Sequence, residues 1–156
     1  MEDEIRSKIL DDDWFDGNKA KDKKLVEPIH YTGPTVFRYS VDQRRIRFGA
    51  SAFPVPPGTF AWIDDQPVSD GFYRLLASPH RIEVWDGLVQ QVHLVMRYQS
   101  LQGQSIEVDL DRKSKPVRAW MDDQAAPDGW YHRKWVRWIR VRDGRVIGGL
   151  VFIDIK

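Results

Sequence analysis

Apolar and polar residues alternate along most of this chain, and a period of two is the signature of half-buried strands. Residues 36–41 and 45–48 are short runs rich in β-formers, with Asp42-Gln43 placed to turn the chain between them. Pro54, Pro56, Pro57 and Gly58 make a stiff loop that a central strand does not accept. Residues 59–62 read as a strand end, 64–71 as a loop closing on Asp70-Gly71, and 72–76 as a strand. Residues 81–85 and 88–98 are two strands joined at Asp86-Gly87. Asp-Gly between alternating runs is the strongest short hairpin signal, because both central residues of a type I′ turn need positive φ. The same hairpin returns as residues 138–142, Asp143-Gly144 and residues 145–155. Alternation aims Ile82, Val84, Ile139 and Val141 inward, and Glu83, Trp85, Arg140 and Arg142 outward. Residues 105–110 supply one more alternating strand as a connector. The expected fold class is all-β, with about eight to ten short strands in a sandwich or barrel.

The hairpins recur because the sequence itself recurs. Residues 61–73 return as residues 119–131 with eight of thirteen positions identical. Residues 82–89 return one residue out of step as 139–146, so a period of 58 slips to 57. A fixed period of this size marks one supersecondary unit used repeatedly. The expectation is two tandem copies of a small antiparallel β unit, about 59–98 and 117–155, within one all-β domain spanning 31–156.

Residues 1–30 break the pattern. They hold nine carboxylates against six Lys or Arg and few apolar anchors, so they read as a flexible or extended acidic arm. Ile5, Ile9 and Leu10 have helical spacing, and Asp11-Asp12-Asp13 then interrupts it. The adjacent aromatics Trp14 and Phe15 read as an anchor that docks on this domain or on a neighbour.

Composition narrows the function classes. The formal net charge of +1 gives no global field toward nucleic acid or membrane. The absence of cysteine excludes a disulfide framework and any thiolate metal site. No apolar run approaches the ~20 residues of a spanning helix, and Glu2, Asp3 and Glu4 are the opposite of a signal-peptide start. The chain reads as soluble, cytoplasmic or part of a particle, with no membrane partner. Phosphate-binding, nucleophile-elbow and H-E-x-x-H motifs are missing, and His30, His80, His93 and His132 lack ligand spacing, so no enzyme and no metal or other cofactor is expected.

Two constellations remain. Trp62, Asp64, Asp65, Gln66 and Tyr73 recur as Trp120, Asp122, Asp123, Gln124 and Tyr131. Oxygen-rich loops suit Ca²⁺, and carboxylates beside aromatics suit a sugar, which would make a two-site, lectin-like carbohydrate binder. The same residues also serve as turn formers and as large packing residues, and that reading is the stronger. The second constellation is residues 130–142, which carry six cations, counting His132, and no carboxylate. Arg133, Lys134, Trp135, Arg137, Trp138, Arg140 and Arg142 would grip single-stranded nucleic acid or an acidic peptide. Residues 1–16 are such a peptide, with seven carboxylates against Arg6 and Lys8. The favoured expectation is a non-enzymatic protein-binding β-repeat module. It would be a structural or adaptor part of a larger homo- or hetero-oligomeric assembly, such as a phage-like or injection-type particle. Nucleic acid is the less favoured partner.

Overall fold

A computed structural model of the chain describes residues 26–151. The arm readings on Ile5, Ile9, Leu10, Trp14 and Phe15, and the end of the last strand at 152–155, lie outside the described residues. Among the described residues there is no helix, and thirteen strands are formed, more than the alternation suggested. Two of them, Gln66–Pro67 and Gln124–Ala125, are two-residue strands that pattern reading cannot see. The described chain divides into two compact units, 26–94 and 95–151.

The first unit begins with β1 (Val36–Tyr39), β2 (Arg45–Phe48), β3 (Ala61–Ile63) and β4 (Gln66–Pro67), which form one antiparallel sheet in that order. β5 (Gly71–Arg74), β6 (His80–Trp85) and the first half of β7 (Leu88–Ser100) form a meander. Single bridges Ser40↔Leu75 and Phe60↔Leu88 join the two pieces into a ring. Inside lie Ile46, Phe48, Ala61, Leu75, Ile82, Val84 and Val89, all nearly or fully buried. Ile82 and Val84 face inward as the alternation requires. Glu83 corrects the outward expectation: it is buried on the other face of β6, within hydrogen-bond reach of buried His93 at 3.2 Å and beside buried Arg81. That face carries a buried polar cluster, so alternation of polarity did not mark exposure.

The second unit is a closed six-stranded barrel. Its ring runs from the end of β7 through β8 (Ser105–Leu110), β9 (Pro116–Met121), β13 (Arg145–Val151), β12 (Arg137–Arg142) and β11 (Gly129–Arg133), then back to β7. β10 (Gln124–Ala125) folds back on β9. Tyr98, Ile106, Val108, Leu110, Ala119, Tyr131, Ile139 and Val141 fill the interior. Closure leaves fewer unpaired strand edges. β8, expected only as a connector, is a full wall of this barrel.

The matched sequence tracts adopt matching backbones. Asp64-Asp65 and Asp122-Asp123 are the central residues of two-residue turns, with φ of 50° and 63° in one and 51° and 62° in the other. Asp86-Gly87 and Asp143-Gly144 do the same with φ of 55° and 72°, and 51° and 77°. β6–β7 and β12–β13 each carry a register shift at the same place, Glu83/Val84 and Arg140/Val141. The Asp86 N–H donates to Asp70 Oδ1 at 2.7 Å, and the Asp143 N–H donates to Asp128 Oδ1 at 2.8 Å. The likeness extends to strands that the sequence match did not include. In β1–β2 the Ser40 Oγ accepts from the Arg44 N–H at 3.1 Å, and in β7–β8 the Ser100 Oγ accepts from the Gln104 N–H at 3.0 Å. Inward Ile46 and Phe48 then correspond to Ile106 and Val108.

Candidate interaction hairpin

β11 and β12 are joined by a turn whose central residues are Lys134 and Trp135, with φ of 53° and 60°. The Val136 N–H donates to the Arg133 carbonyl at 3.2 Å and closes it. Left-handed φ at both central positions normally selects Asn-Gly or Asp-Gly, and a bulky residue there is unfavourable. Here the aromatic neighbours hold it. The Trp135 ring stacks on His132 with centroids 3.9 Å apart, and Trp138 lies 4.8 Å from His132 and 5.7 Å from Trp135. The Trp138 indole N–H donates to the Trp135 carbonyl at 3.0 Å, and the Trp135 N–H donates to His132 Nδ1 at 3.3 Å. His132 is buried by this stack, whereas Trp135 remains 63% exposed.

The expected basic stretch is therefore folded on itself. Tyr131, Ile139 and Val141 turn into the barrel. Arg140 and Arg142 lie on the exposed face of β12 as expected, and Arg137 and Lys134 are exposed as well. Arg133 and Trp138 are half-buried. Arg140 stands between Trp130 on β11 and Gly148 on β13, and a side chain at Gly148 would meet nothing within 4 Å. The arginine is thus left uncovered beside a Trp130 that is itself partly exposed. Ile147, Leu150 and Val151 on β13 and Val136 at the turn add exposed apolar surface to the same three strands. What sequence reading missed here is His132, whose part is to seat Trp135; adjacent cations masked it.

The duplicated Asp-Asp-Gln residues are placed differently. Asp64, Asp65, Gln66, Asp122, Asp123 and Gln124 are exposed on tight hairpin turns rather than in the open loop expected for 64–71, because β4 and β10 pair back on β3 and β9. Asp65 accepts from Arg47 at 3.0 Å, and that guanidinium lies 4.7 Å over the half-buried Trp62 ring. Trp120 is buried and donates its indole N–H to Asp109 Oδ2 at 2.8 Å. The Tyr73 and Tyr131 hydroxyls each donate to a backbone carbonyl at 2.6 Å, of Ser69 and Pro127. The aromatic rings are thus spent on packing and the carboxylates on turns. Among the described residues no group of three or more His, Asp or Glu is arranged to hold a metal ion.

Burial raises the ionisation of Tyr131 above the usual phenol value of 10.0, with Asp128 adding to it. Burial does the same to Tyr98, opposed by Arg137 and Arg133. Both phenols therefore stay neutral in the folded state at a pH where the unfolded chain has begun to ionise. The stability they contribute is complete below pH 10 and falls as pH rises beyond it. Absorbance at 295 nm should show Tyr98 and Tyr131 titrating late in folded protein, and Tyr98→Phe should remove part of the alkaline loss of stability. A single phenol transition at pH 10 in the folded protein would contradict this.

No protein-family model matches the chain, and no curated protein or solved structure matches it either.

Proposed function

We propose that this protein is a non-enzymatic protein-binding module made of two copies of one β-barrel unit, and that the β11–β12 hairpin of the second copy is its docking element. Exposed Trp135, held at a left-handed backbone position by the buried His132, carries the reading. Strained residues persist where the surroundings over-determine them, and such places cluster at functional sites. A rigid, exposed tryptophan with neighbouring arginines is also the composition of an interface hot spot. The corresponding turn of the first copy places Ala77 at φ 55° and offers no such anchor. The identical turns, register shifts and Asp clamps support duplication, with the copies meeting inside β7 between Leu94 and Val95.

The partner this surface fits is an acidic segment with aromatic or aliphatic anchors. Residues 1–16 of this chain have that chemistry, including Trp14 and Phe15, so the module suits arm exchange within an assembly. A labelled peptide of residues 1–16 tests it by fluorescence anisotropy, on the full chain and on protein lacking residues 1–25. Binding should weaken about thirtyfold in Trp135→Ala, the effect of a hot spot near 2 kcal/mol. It should weaken further with salt and in the Arg140→Glu/Arg142→Glu double variant. Absence of binding to the shortened protein would sink the acidic-partner reading. Exposed Arg137, Arg140 and Arg142 beside Trp130 and Trp135 also favour a second reading, a single-stranded nucleic-acid surface. Steep salt-dependent binding of an oligothymidine would support that one instead.

A further inference from the structure

One end of the second barrel is hollow where the corresponding end of the first is filled. In the first unit β2 and β3 are joined by residues 49–60, and that loop sends Phe53 back onto the core. The Phe53 ring packs 5.6 Å from Phe48 and 5.4 Å from His80, with the Arg38 guanidinium 5.0 Å above it. In the second unit β8 and β9 are joined by residues 111–115 alone, closed by Asp111 Oδ1 accepting from the Lys113 and Lys115 N–H groups. No aromatic returns to the core from so short a turn. The strand residue is lost as well: Val92 lies opposite Ile82 in the first unit, whereas Gly149 lies opposite Ile139 in the second.

The result is a cavity of about 270 Å³ within the second unit. Ile139, Val146 and Gly149 form its apolar wall, and Lys115 and Arg137 stand at its exposed rim. Among the described residues no carboxylate lines it. Tyr98 also lines it; that side chain is 98% removed from solvent, at 2% exposure, and its hydroxyl makes no hydrogen bond to any described residue. Arg133 and Arg137 are both near enough to act on the Tyr98 phenol. Among the described residues none of Lys115, Arg133 and Arg137 is engaged in an ion pair. A concave apolar wall with a few convergent polar groups is the general form of a small-ligand site.

We propose that this cavity binds a small amphipathic monocarboxylate. The carboxylate would accept from the Arg137 guanidinium, the Lys115 ammonium and the Tyr98 O–H, while an apolar body lies against Ile139, Val146 and Gly149. A volume of 270 Å³ corresponds to about nine waters, hence a ligand of about ten non-hydrogen atoms. Octanoate has this size and chemistry. Titration calorimetry on the full chain should show octanoate binding one to one with a Kd of about 0.1–1 mM, the range for a compact ligand of this size. Octanol, which keeps the body and lacks the charge, should bind about tenfold more weakly, and octyltrimethylammonium should not bind. Arg137→Gln changes an exposed residue and should weaken octanoate about tenfold; Tyr98→Phe should weaken it about threefold with an unchanged far-ultraviolet spectrum. Failure of octanoate to bind at several millimolar would overturn the proposal. Equal affinity for octanol, or octanoate affinity unaltered in both variants, would overturn it as well.

Discussion

Replacing Asp109 by alanine is expected to destabilise the protein by about 3–5 kcal/mol, the range for breaking a buried pair from one side. Asp109 is fully buried near the end of β8, directly opposite Arg118 on β9 in the strand register. Arg118 is itself almost completely buried, with Nε 3.8 Å from Asp109 Oδ2. The same oxygen accepts the Trp120 indole N–H at 2.8 Å. Alanine at this position removes the carboxylate beside a buried guanidinium and the acceptor that Trp120 uses. Asparagine restores an acceptor without the charge, so Asp109→Asn should recover only part of the loss. Urea unfolding of the three proteins measures both steps. A loss under about 1 kcal/mol for alanine would mean that Arg118 is hydrated and the pair is not dry.

The second large effect is a difference between two buried isoleucines, one on β6 and one on β12. Ile82→Ala should lose about 3–4 kcal/mol, and Ile139→Ala nearer to 2 kcal/mol, within the range for deleting a buried isoleucine. Both side chains are buried and face the interior of their units. Ile82 has Val92 across the strand pair and sits within the filled core of its unit. Ile139 has Gly149 across the pair and borders the 270 Å³ cavity. A side chain with a void on one side has fewer dispersion contacts to lose, and its truncation enlarges a space that already exists. Equal losses at the two positions would mean that the cavity is filled in the free protein.

Where the sequence was legible, the chemistry was local. Asp86-Gly87 and Asp143-Gly144 specify their turns through the φ values they accept, and the strands on either side alternate as required. Ile82, Val84, Ile139 and Val141 were read inward from alternation alone. The hydroxyls of Tyr73 and Tyr131 found backbone carbonyls, as packing tyrosines do. Asp64-Asp65 and Asp122-Asp123 were harder. Their composition announces a turn, but a two-residue return strand such as Gln66–Pro67 has too little pattern to detect. The likeness between residues 36–48 and 96–108 escaped because the β1–β2 and β7–β8 turns are aligned by Ser40 and Ser100, at an offset of 60 rather than 58.

The candidate site was legible as composition and not as geometry. Arg133, Lys134, Trp135, Arg137, Trp138, Arg140 and Arg142 stood out as a cationic aromatic run. Nothing in that run says that Lys134 and Trp135 occupy a left-handed turn, or that His132 supplies the stacking that holds them there. The hollow in the second barrel was invisible for a related reason. It arises from two omissions, a loop shortened to residues 111–115 and a glycine at 149, and their joint effect exists only when the barrel closes.

By itself the amino-acid order determined an all-β chain, its Asp-Gly hairpins and the core-facing side of β6 and β12. Those outcomes follow from φ preferences and side-chain period, which act over a few residues. Tertiary structure alone decided which strands close each ring, that Glu83 is buried with His93, that Trp135 is presented while Trp120 is hidden, and that one barrel end stays open. Each of these depends on groups distant in sequence competing for the same space and the same hydrogen-bond partners, a contest that periodicity along the chain does not encode.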